Sequence, residues 1–225
     1  DRYADYCDKS TKETLANIRD FVSKNPDKPV PYEKLGSQDE QIASPASVAP
    51  LVYVAESQED LGEKVASYTR VRQNNEKAVA YTNFVAAVAF ALTRGSDPED
   101  AVRQAIASLD PTNLYASEVS LKIETTRNLL EKDGRDATAE LGQSCPLEKS
   151  VPAAIHAFLR HSDDFETAVL ETIKAGGDTA GRASVIGMLC GARLGEKAIP
   201  QRWRDALEAK LEDFPLFQTS TTRSS

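Results

Sequence analysis

The sequence Gly176-Gly177-Asp178-Thr179 combines residue types that could hold a ligand. A glycine-rich turn before a helix presents backbone N–H groups that can bind an anion, which makes Gly176 and Gly177 candidate cofactor-binding residues. The carboxylate of Asp178 could cap that helix, or it could ligate a hard cation such as Mg²⁺. Capping is the favoured interpretation, because one carboxylate alone does not make a magnesium site.

Amide side chains form a second candidate, in Gln73, Asn74 and Asn75 between two apolar segments. These amides, that of Asn74 above all, could bind a ribose or a phosphate. They could equally cap a helix that begins at Glu76, a role that Asn commonly takes.

A third candidate, His161 with Asp163 and Asp164, has the residue types of an acid–base site. The same acids stand where a helix begins, and capping by Asp163 is the favoured interpretation.

Two further residues invite a chemical role that their surroundings do not support. Cys145 precedes Pro146 in a turn, and no basic neighbour in the sequence would activate its thiol, so an inert thiol is expected. His156 lies on the apolar face of a predicted helix and is expected in the core with a backbone partner. Two histidines without a Cys-x-x-Cys pattern make a zinc site improbable.

The elements that must position these residues are helical throughout, because apolar residues recur at helical spacing and no alternating strand pattern is found. The fold class predicted is therefore all-α, a compact multi-helix bundle in one domain over residues 1–213, followed by a frayed tail over 214–225. The predicted helices cover 11–24, 51–55, 58–72, 76–93, 98–109, 117–132, 136–141, 151–160, 165–174, 182–194 and 201–211. Asp97 and Pro98 mark one start clearly, as cap and first residue.

Glycines recur every four residues at Gly187, Gly191 and Gly195, in and after the helix over 182–194. Each interior glycine costs about 1 kcal/mol relative to alanine. We therefore expect another backbone to approach this helix closely, which would make it a central glycine-rich helix. Gly195 is expected to end it with a positive φ.

Prolines and polar residues make 25–48 the irregular part of the chain, and we expect it to lie extended on the surface. The chain has 35 acidic and 27 basic residues, a net charge of −8, which disfavours nucleic-acid binding. No apolar run is long enough to span a membrane. Three widely spaced cysteines predict reduced thiols in a reducing compartment.

Four segments, taken in order, resemble the ADP-ribosylglycohydrolase family, particularly its branch that includes the jellyfish J-crystallins. They are "ASVAPLVYV", "TRVRQNNEKAVAYTNFVAAVAFALTRGSDP", "GQSCPLEKSVPAAIHAFLRHSDDFETAVLETIKAGGD" and "AGGDTAGRASVIGMLCGARLGEKAIPQRW". The resemblance extends from Asp8 to Leu211. It implies an all-α hydrolase fold whose active members remove ADP-ribose from modified residues with two Mg²⁺ ions.

The resemblance fails at the metal ligands. In the family, one set of metal ligands comes from an Asp-x-Asp-Thr element. Asp178 matches the first Asp of this element, but Ala180 and Gly181 occupy the positions of the second Asp and the Thr. The other set comes from an early Thr-Asp-Asp-type motif, and we expect the family's N-terminal segment that carries it to lie outside this chain. Asp178 is thus the one assignable metal ligand, and no cofactor is expected, with Mg²⁺ as the alternative.

Two functions from different classes follow from these residues. The first is a catalytically degenerate scaffold, a structural or binding component of a larger assembly. The second is a Mg²⁺-dependent hydrolase of ADP-ribosyl linkages whose missing ligands come from another segment or subunit. Because an absent N-terminal segment would leave apolar surface uncovered, we expect a protein partner or a homo-oligomer on that face, with an ADP-ribose-like ligand as a further candidate.

Overall fold

The structure, a computed structural model, describes residues 7–207, and within this range it is built from α-helices with no strand beyond two isolated bridges. This confirms the predicted all-α fold class. The twelve helices of the range are α1 Lys9–Lys24, α2 Tyr32–Leu35, α3 Ala49–Val54, α4 Gln58–Arg72, α5 Glu76–Thr93, α6 Pro98–Ala107, α7 Ala116–Arg127, α8 Gly134–Leu141, α9 Leu147–His161, α10 Phe165–Lys174, α11 Thr179–Leu194 and α12 Gln201–Asp205.

Local capping signals explain why several helices begin where the sequence predicts. The bounds of α4, α5 and α10 agree with the prediction residue for residue. Asp97 accepts a hydrogen bond from the N–H of Asp100 at 3.0 Å, and Pro98 is the first residue of α6. The Asp side chain accepts from a free N–H of the first turn, and Pro has no N–H that needs a partner. Neighbouring residues alone therefore determine where α6 begins.

Helix α5 forms the centre of the bundle, with 15 of its 18 residues buried. It packs against α4, α6, α9 and α11, which is why its sequence is apolar on all faces. Helix α11, the predicted glycine-rich helix, packs on α5, α9 and α10 and buries Val185, Ile186, Leu189 and Cys190. The site residues at the start of α11 therefore stand on a helix fixed in the core.

The close backbone approach predicted at Gly187 and Gly191 is wrong. Among the described residues, a Cβ at Gly187 would meet only the Phe165 ring, at 3.8 Å, and a Cβ at Gly191 would meet no atom within 4 Å. Gly195 does end α11 with a φ of 75°, as expected. At the start of α11 and in the turn before it, Gly177 and Gly181 are the closely packed glycines.

The expectation that the whole proline-rich segment 25–48 lies on the surface is also wrong for its second half. Residues 37–48, which we call the inner segment, include several buried side chains: Ser37, Asp39, Ile42, Ser44, Pro45 and Val48. Isolated bridges join Ser37 to Gln73 and Gln41 to Pro146. The bridges join the segment to the end of α4 and to the start of α9, which a count of prolines cannot reveal.

The predicted tail over 214–225 and the end of the predicted helix 201–211 fall outside the described residues; α12 ends at Asp205. In the described range no helix has both the length and the apolar character needed to cross a membrane.

Candidate functional site

The glycine turn between α10 and α11 forms the candidate site, and both of its glycines have positive φ, 75° at Gly176 and 76° at Gly177. A Cβ at Gly177 would lie 2.0 Å from the carbonyl oxygen of Gln143, so only glycine fits there. The N–H of Gly176 donates to Ile173, whereas the N–H of Gly177 donates to no described acceptor. Gly177 thus offers one free donor to an anion, and the predicted cofactor-binding role of this turn stays a prediction.

A buried arginine side chain holds the main chain of the glycine turn in place. Arg182 is 1% exposed, and its guanidinium donates to the carbonyl oxygens of Gln143, at 3.3 Å, and of Gly176. Burial lowers the pKa of this guanidinium, an effect that the nearby charge of Asp178 opposes. Because Arg182 binds the main chain of the turn, its role is to position the backbone.

Asp178 caps α11, as predicted. Its Oδ1 accepts from the N–H of Gly181 at 3.3 Å, and its Oδ2 accepts from the hydroxyl of Ser150 at 3.4 Å. Its own N–H donates to the carbonyl of Gln143 at 2.9 Å. The carboxylate is therefore turned toward α11 and α9.

Ile42 fills the space beside this carboxylate. It is 4% exposed, and its Cγ2 would lie 2.3 Å from a Cβ placed on Gly181. The same Cβ would lie 2.9 Å from Oδ2 of Asp178. A side chain at position 181 would clash on two sides, so Gly181 is required by Ile42 and Asp178 as they stand.

Cys145 lies against the same carboxylate. Burial is the largest cause that raises the pKa of its thiol, and the charge of Asp178 and a hydrogen bond to it raise the pKa further. The thiol is consequently protonated at neutral pH, in agreement with the expected inert role.

The three consecutive amides have different roles. Gln73 is fully buried, and its side chain accepts from the N–H and hydroxyl of Ser44 while donating to the carbonyls of Asp39 and Gln41 at 3.0 and 2.7 Å. These four bonds hold the inner segment in place. Asn75 caps α5 through the N–H of Ala78 and donates to Asp39, so it too is structural.

Asn74, the predicted ribose or phosphate ligand, is joined to the inner segment only through its main chain. Its N–H donates to the carbonyl of Ser37 at 2.8 Å, and its carbonyl accepts from Gln38 at 2.6 Å. The side-chain amide makes no hydrogen bond to a described residue. Among those residues no hydrogen bond joins Asn74 to the glycine turn, so the structure does not unite the two predicted binding elements.

The acid–base candidate at the start of α10 is a set of structural contacts. The cap is Asp164, which accepts from the N–H of Thr167 at 3.0 Å; the prediction that Asp163 caps this helix is wrong. Asp163 instead pairs with Arg193 at 2.6 Å. His156 is 1% exposed, with Nε2 bonded to the carbonyl of Leu129 at 2.9 Å, which confirms the expected core position.

A cluster of charges around Lys77 was not predicted. Its Nζ lies 3.3 Å from Glu40, 3.5 Å from Glu118 and 2.9 Å from Glu148, and the lysine is only 9% exposed. Tyr81 donates to Glu118 at 3.0 Å. One sequence signal was available: a lone lysine in the otherwise apolar α5 must find counterions when that helix is buried.

Comparison with known proteins identifies the family to which this chain belongs. A family model described as ADP-ribosylglycohydrolase matches residues 1–223, and the chain belongs to this family. It is 28% identical to crystallin J1A of Tripedalia cystophora over 174 residues, 76% of this chain and 51% of that protein. It is also 29% identical to an uncharacterized protein of Archaeoglobus fulgidus over 185 residues, 80% of this chain and 57% of that protein.

A hydrolase is also among the relatives. Over 98 residues the chain is 32% identical to ADP-ribosylhydrolase ARH3 of Gallus gallus, which covers 39% of this chain and 27% of that protein. The chain spans about half the length of the crystallin and the archaeal protein. The relatives therefore include both a protein named as a crystallin and one named as a hydrolase.

Proposed function

We propose that this chain is a catalytically degenerate ADP-ribosylglycohydrolase-like protein that acts as a structural or binding component of a larger assembly. The observation that carries the proposal is the packing of Ile42 against Gly181 beside the carboxylate of Asp178. The family resemblance implies a metal-ligating Thr at position 181. Its Cβ would fall 2.3 Å from Ile42, so this ligand and the present packing exclude each other.

The residues at the turn do not fit a magnesium pair. Magnesium prefers octahedral coordination by oxygen atoms, and two-metal sites need several carboxylates in fixed positions. Here Asp178 already accepts from Gly181 and Ser150. Within residues 7–207 no group of three or more His, Cys, Asp and Glu side chains is arranged to hold a metal ion.

Apolar side chains on the surface support the binding part of the proposal. Tyr53 and Val54 on α3 are 72% and 46% exposed, and Leu114 and Leu121 near the start of α7 are 86% and 64% exposed. Exposed apolar side chains favour association with another surface where they form a contiguous patch. We propose that a partner protein or a second copy of this chain binds over these exposed apolar side chains.

Metal titration and sedimentation test the two halves of the proposal. In calorimetry with Mg²⁺ and Mn²⁺, we expect no pair of micromolar sites in the purified chain or in an Ala180→Asp variant. Sedimentation at micromolar concentration is expected to show self-association or dependence on a partner. Two micromolar metal sites would contradict the degenerate site, and a stable monomer would contradict the assembly role.

A further inference from the structure

The core histidine of α9 binds the main chain that connects α7 to α8, residues 128–133, which we call the α7–α8 connection. His156 is 1% exposed, and its Nε2 lies 2.9 Å from the carbonyl oxygen of Leu129. Arg160, one turn later on α9, donates to the carbonyl oxygen of the next residue, Leu130. Two side chains of α9 thus hold the connection at successive carbonyl groups.

The hydrogen bond of His156 determines where the neutral ring carries its proton. A carbonyl oxygen can only accept, so Nε2 must be the nitrogen that donates to Leu129. In the neutral ring Nδ1 is then unprotonated, and it has no hydrogen-bond partner among the described residues. Protonation of Nδ1 would place a new N–H and a positive charge in the core without an acceptor, which is unfavourable.

The groups around the ring favour its neutral form. Burial lowers the pKa of His156, and the hydrogen bond to Leu129 opposes burial only in part. Arg160 and His161, on the same helix, lower the pKa further through their charges, while Asp133 in the α7–α8 connection raises it. The ring of the folded chain is therefore harder to protonate than an exposed imidazole.

Charged and titratable groups on the other elements that pack against α9 lie nearer its ends or on the surface. Lys77 of α5 and Glu118 of α7 meet α9 at Glu148 in its first turn, about two turns before His156. At the other end, Glu171 of α10 acts on His161, Arg193 of α11 pairs with Asp163, and Cys190 of α11 is buried. The charged side chains of α8 are exposed, namely Arg135, Asp136 and Glu140.

Histidines dominate the titration of this chain between pH 7 and pH 5.5. The sequence contains two, His156 and His161, and the ordinary pKa values of Asp and Glu lie below this window. Asp133 stays ionised, because the N–H of Asp136 lowers the pKa of its carboxyl group. A histidine that is neutral when buried and has its ordinary pKa of 6.5 when exposed contributes stability that is present above pH 6.5 and is lost as the pH falls below it.

We propose that His156 is an acid-sensitive latch, which holds the α7–α8 connection closed at neutral pH and releases it on acidification. When the connection opens, water reaches Nδ1 and the ring takes up one proton from solvent, which stabilises the open state. For a ring that is neutral when closed and titrates at 6.5 when open, the opening constant rises about eightfold between pH 7 and pH 5.5. The latch shares no residue with the glycine turn, so the proposal does not depend on whether the chain is catalytic.

Hydrogen exchange measured by mass spectrometry, with each rate divided by the intrinsic rate at that pH, tests the latch. Amides in the α7–α8 connection should be less protected than those of α5, and their protection should fall about eightfold from pH 7 to pH 5.5. In a His156→Gln variant the amide can still donate to Leu129 but takes up no proton, so we expect protection to change by less than about twofold. His161→Gln is the matched control and should keep the eightfold fall.

Nitrogen NMR of the histidine rings adds a readout that needs no variant. In the folded chain we expect His156 to carry its proton on Nε2 at pH 7 and to remain largely neutral at pH 5.5. A proton on Nδ1 instead, or an ordinary titration near pH 6.5, would overturn the latch. Protection of the connection equal to that of α5 at both pH values would also overturn it, because the connection would then open only on global unfolding. So would an eightfold fall that persists in His156→Gln or disappears in His161→Gln.

Discussion

Replacing Lys77 by methionine should destabilise the bundle through its charges alone. Methionine keeps an unbranched apolar stem of similar length and has nearly the same helix propensity as lysine. It leaves Glu40, Glu118 and Glu148 around an uncharged group. These carboxylates come from the inner segment, α7 and α9, so the ammonium of Lys77 joins three elements to α5.

The magnitude follows from how exposed these ion pairs are. Removing one partner of a buried pair costs about 3–5 kcal/mol, and an exposed pair contributes about 1 kcal/mol or less. The lysine side chain is 11% exposed, while the three glutamates are 24% to 49% exposed. We therefore expect an intermediate loss of about 2 kcal/mol at pH 7, or about 4–8 °C in Tm for a chain of this length.

The pH dependence gives the prediction a second, independent readout. Burial lowers the pKa of Lys77, but its ion pairs outweigh burial and raise the pKa overall. The charged lysine therefore contributes fully to stability below its ordinary pKa of 10.5, and this contribution is lost only at higher pH. Lys77 likewise lowers the pKa of Glu148 against the effect of burial, so that contribution is present above the ordinary value of 4.5 and is lost as the pH falls through the lowered pKa. The stability gap between wild type and Lys77→Met should therefore narrow on going from pH 7 to below pH 4.

Urea denaturation at the two pH values measures the gap. Lys24→Met is the matched control, because Lys24 is 69% exposed and, among the described residues, pairs only with Asp20. We expect a change below about 0.5 kcal/mol. A Lys77→Met variant as stable as the control at pH 7, or a gap that does not narrow in acid, would refute the reasoning.

Three further predictions test other positions. Gly62→Ala should raise the free energy of unfolding by about 1 kcal/mol, since the new Cβ meets no atom of the described residues within 4 Å. A rise of zero in urea denaturation would contradict this. Gly177→Ala should lower the free energy of unfolding by about 2 kcal/mol or more, because Gly177 has a positive φ and a Cβ there would reach the Gln143 carbonyl. An unchanged Tm would contradict the tight packing of the turn. Asp178→Asn should increase the alkylation rate of Cys145 at pH 8, measured by peptide mass spectrometry, because it removes a charge that raises the pKa of the thiol while Asn still caps the helix. A rate that stays the same would contradict the assigned contact.

Local signals in the sequence were sufficient for much of the fold. The start of α6 at Asp97-Pro98 and the bounds of α4 and α5 depend on caps and apolar spacing, which neighbouring residues determine. The position of Asp178, directly after a glycine turn, likewise predicted that it caps α11. The error at Asp163 was one residue, a usual uncertainty at helix ends.

Long-range contacts explain what the sequence could not show. The inner segment is buried because Gln73 supplies four hydrogen bonds to it from more than 25 positions away. The charge cluster of Lys77 depends on the meeting of separate helix starts, which spacing along the chain does not encode. Glycine spacing at Gly187 and Gly191 suggested a close helix contact that no described residue makes. Gly181 is tightly packed because Ile42 and Asp178 both reach it.

The most direct test of the central claim is release of ADP-ribose by the purified chain. The assay measures free ADP-ribose from an ADP-ribosylated protein in the presence of Mg²⁺, for wild type and for an Ile42→Ala/Ala180→Asp/Gly181→Thr variant that removes the clash and restores the two residues implied by the family. A degenerate site predicts no release above the uncatalysed background for wild type. It predicts none for the variant either, because the two restored residues with Asp178 do not by themselves hold a pair of metal ions in fixed geometry. Mg²⁺-dependent release of ADP-ribose by the wild-type chain would contradict the claim.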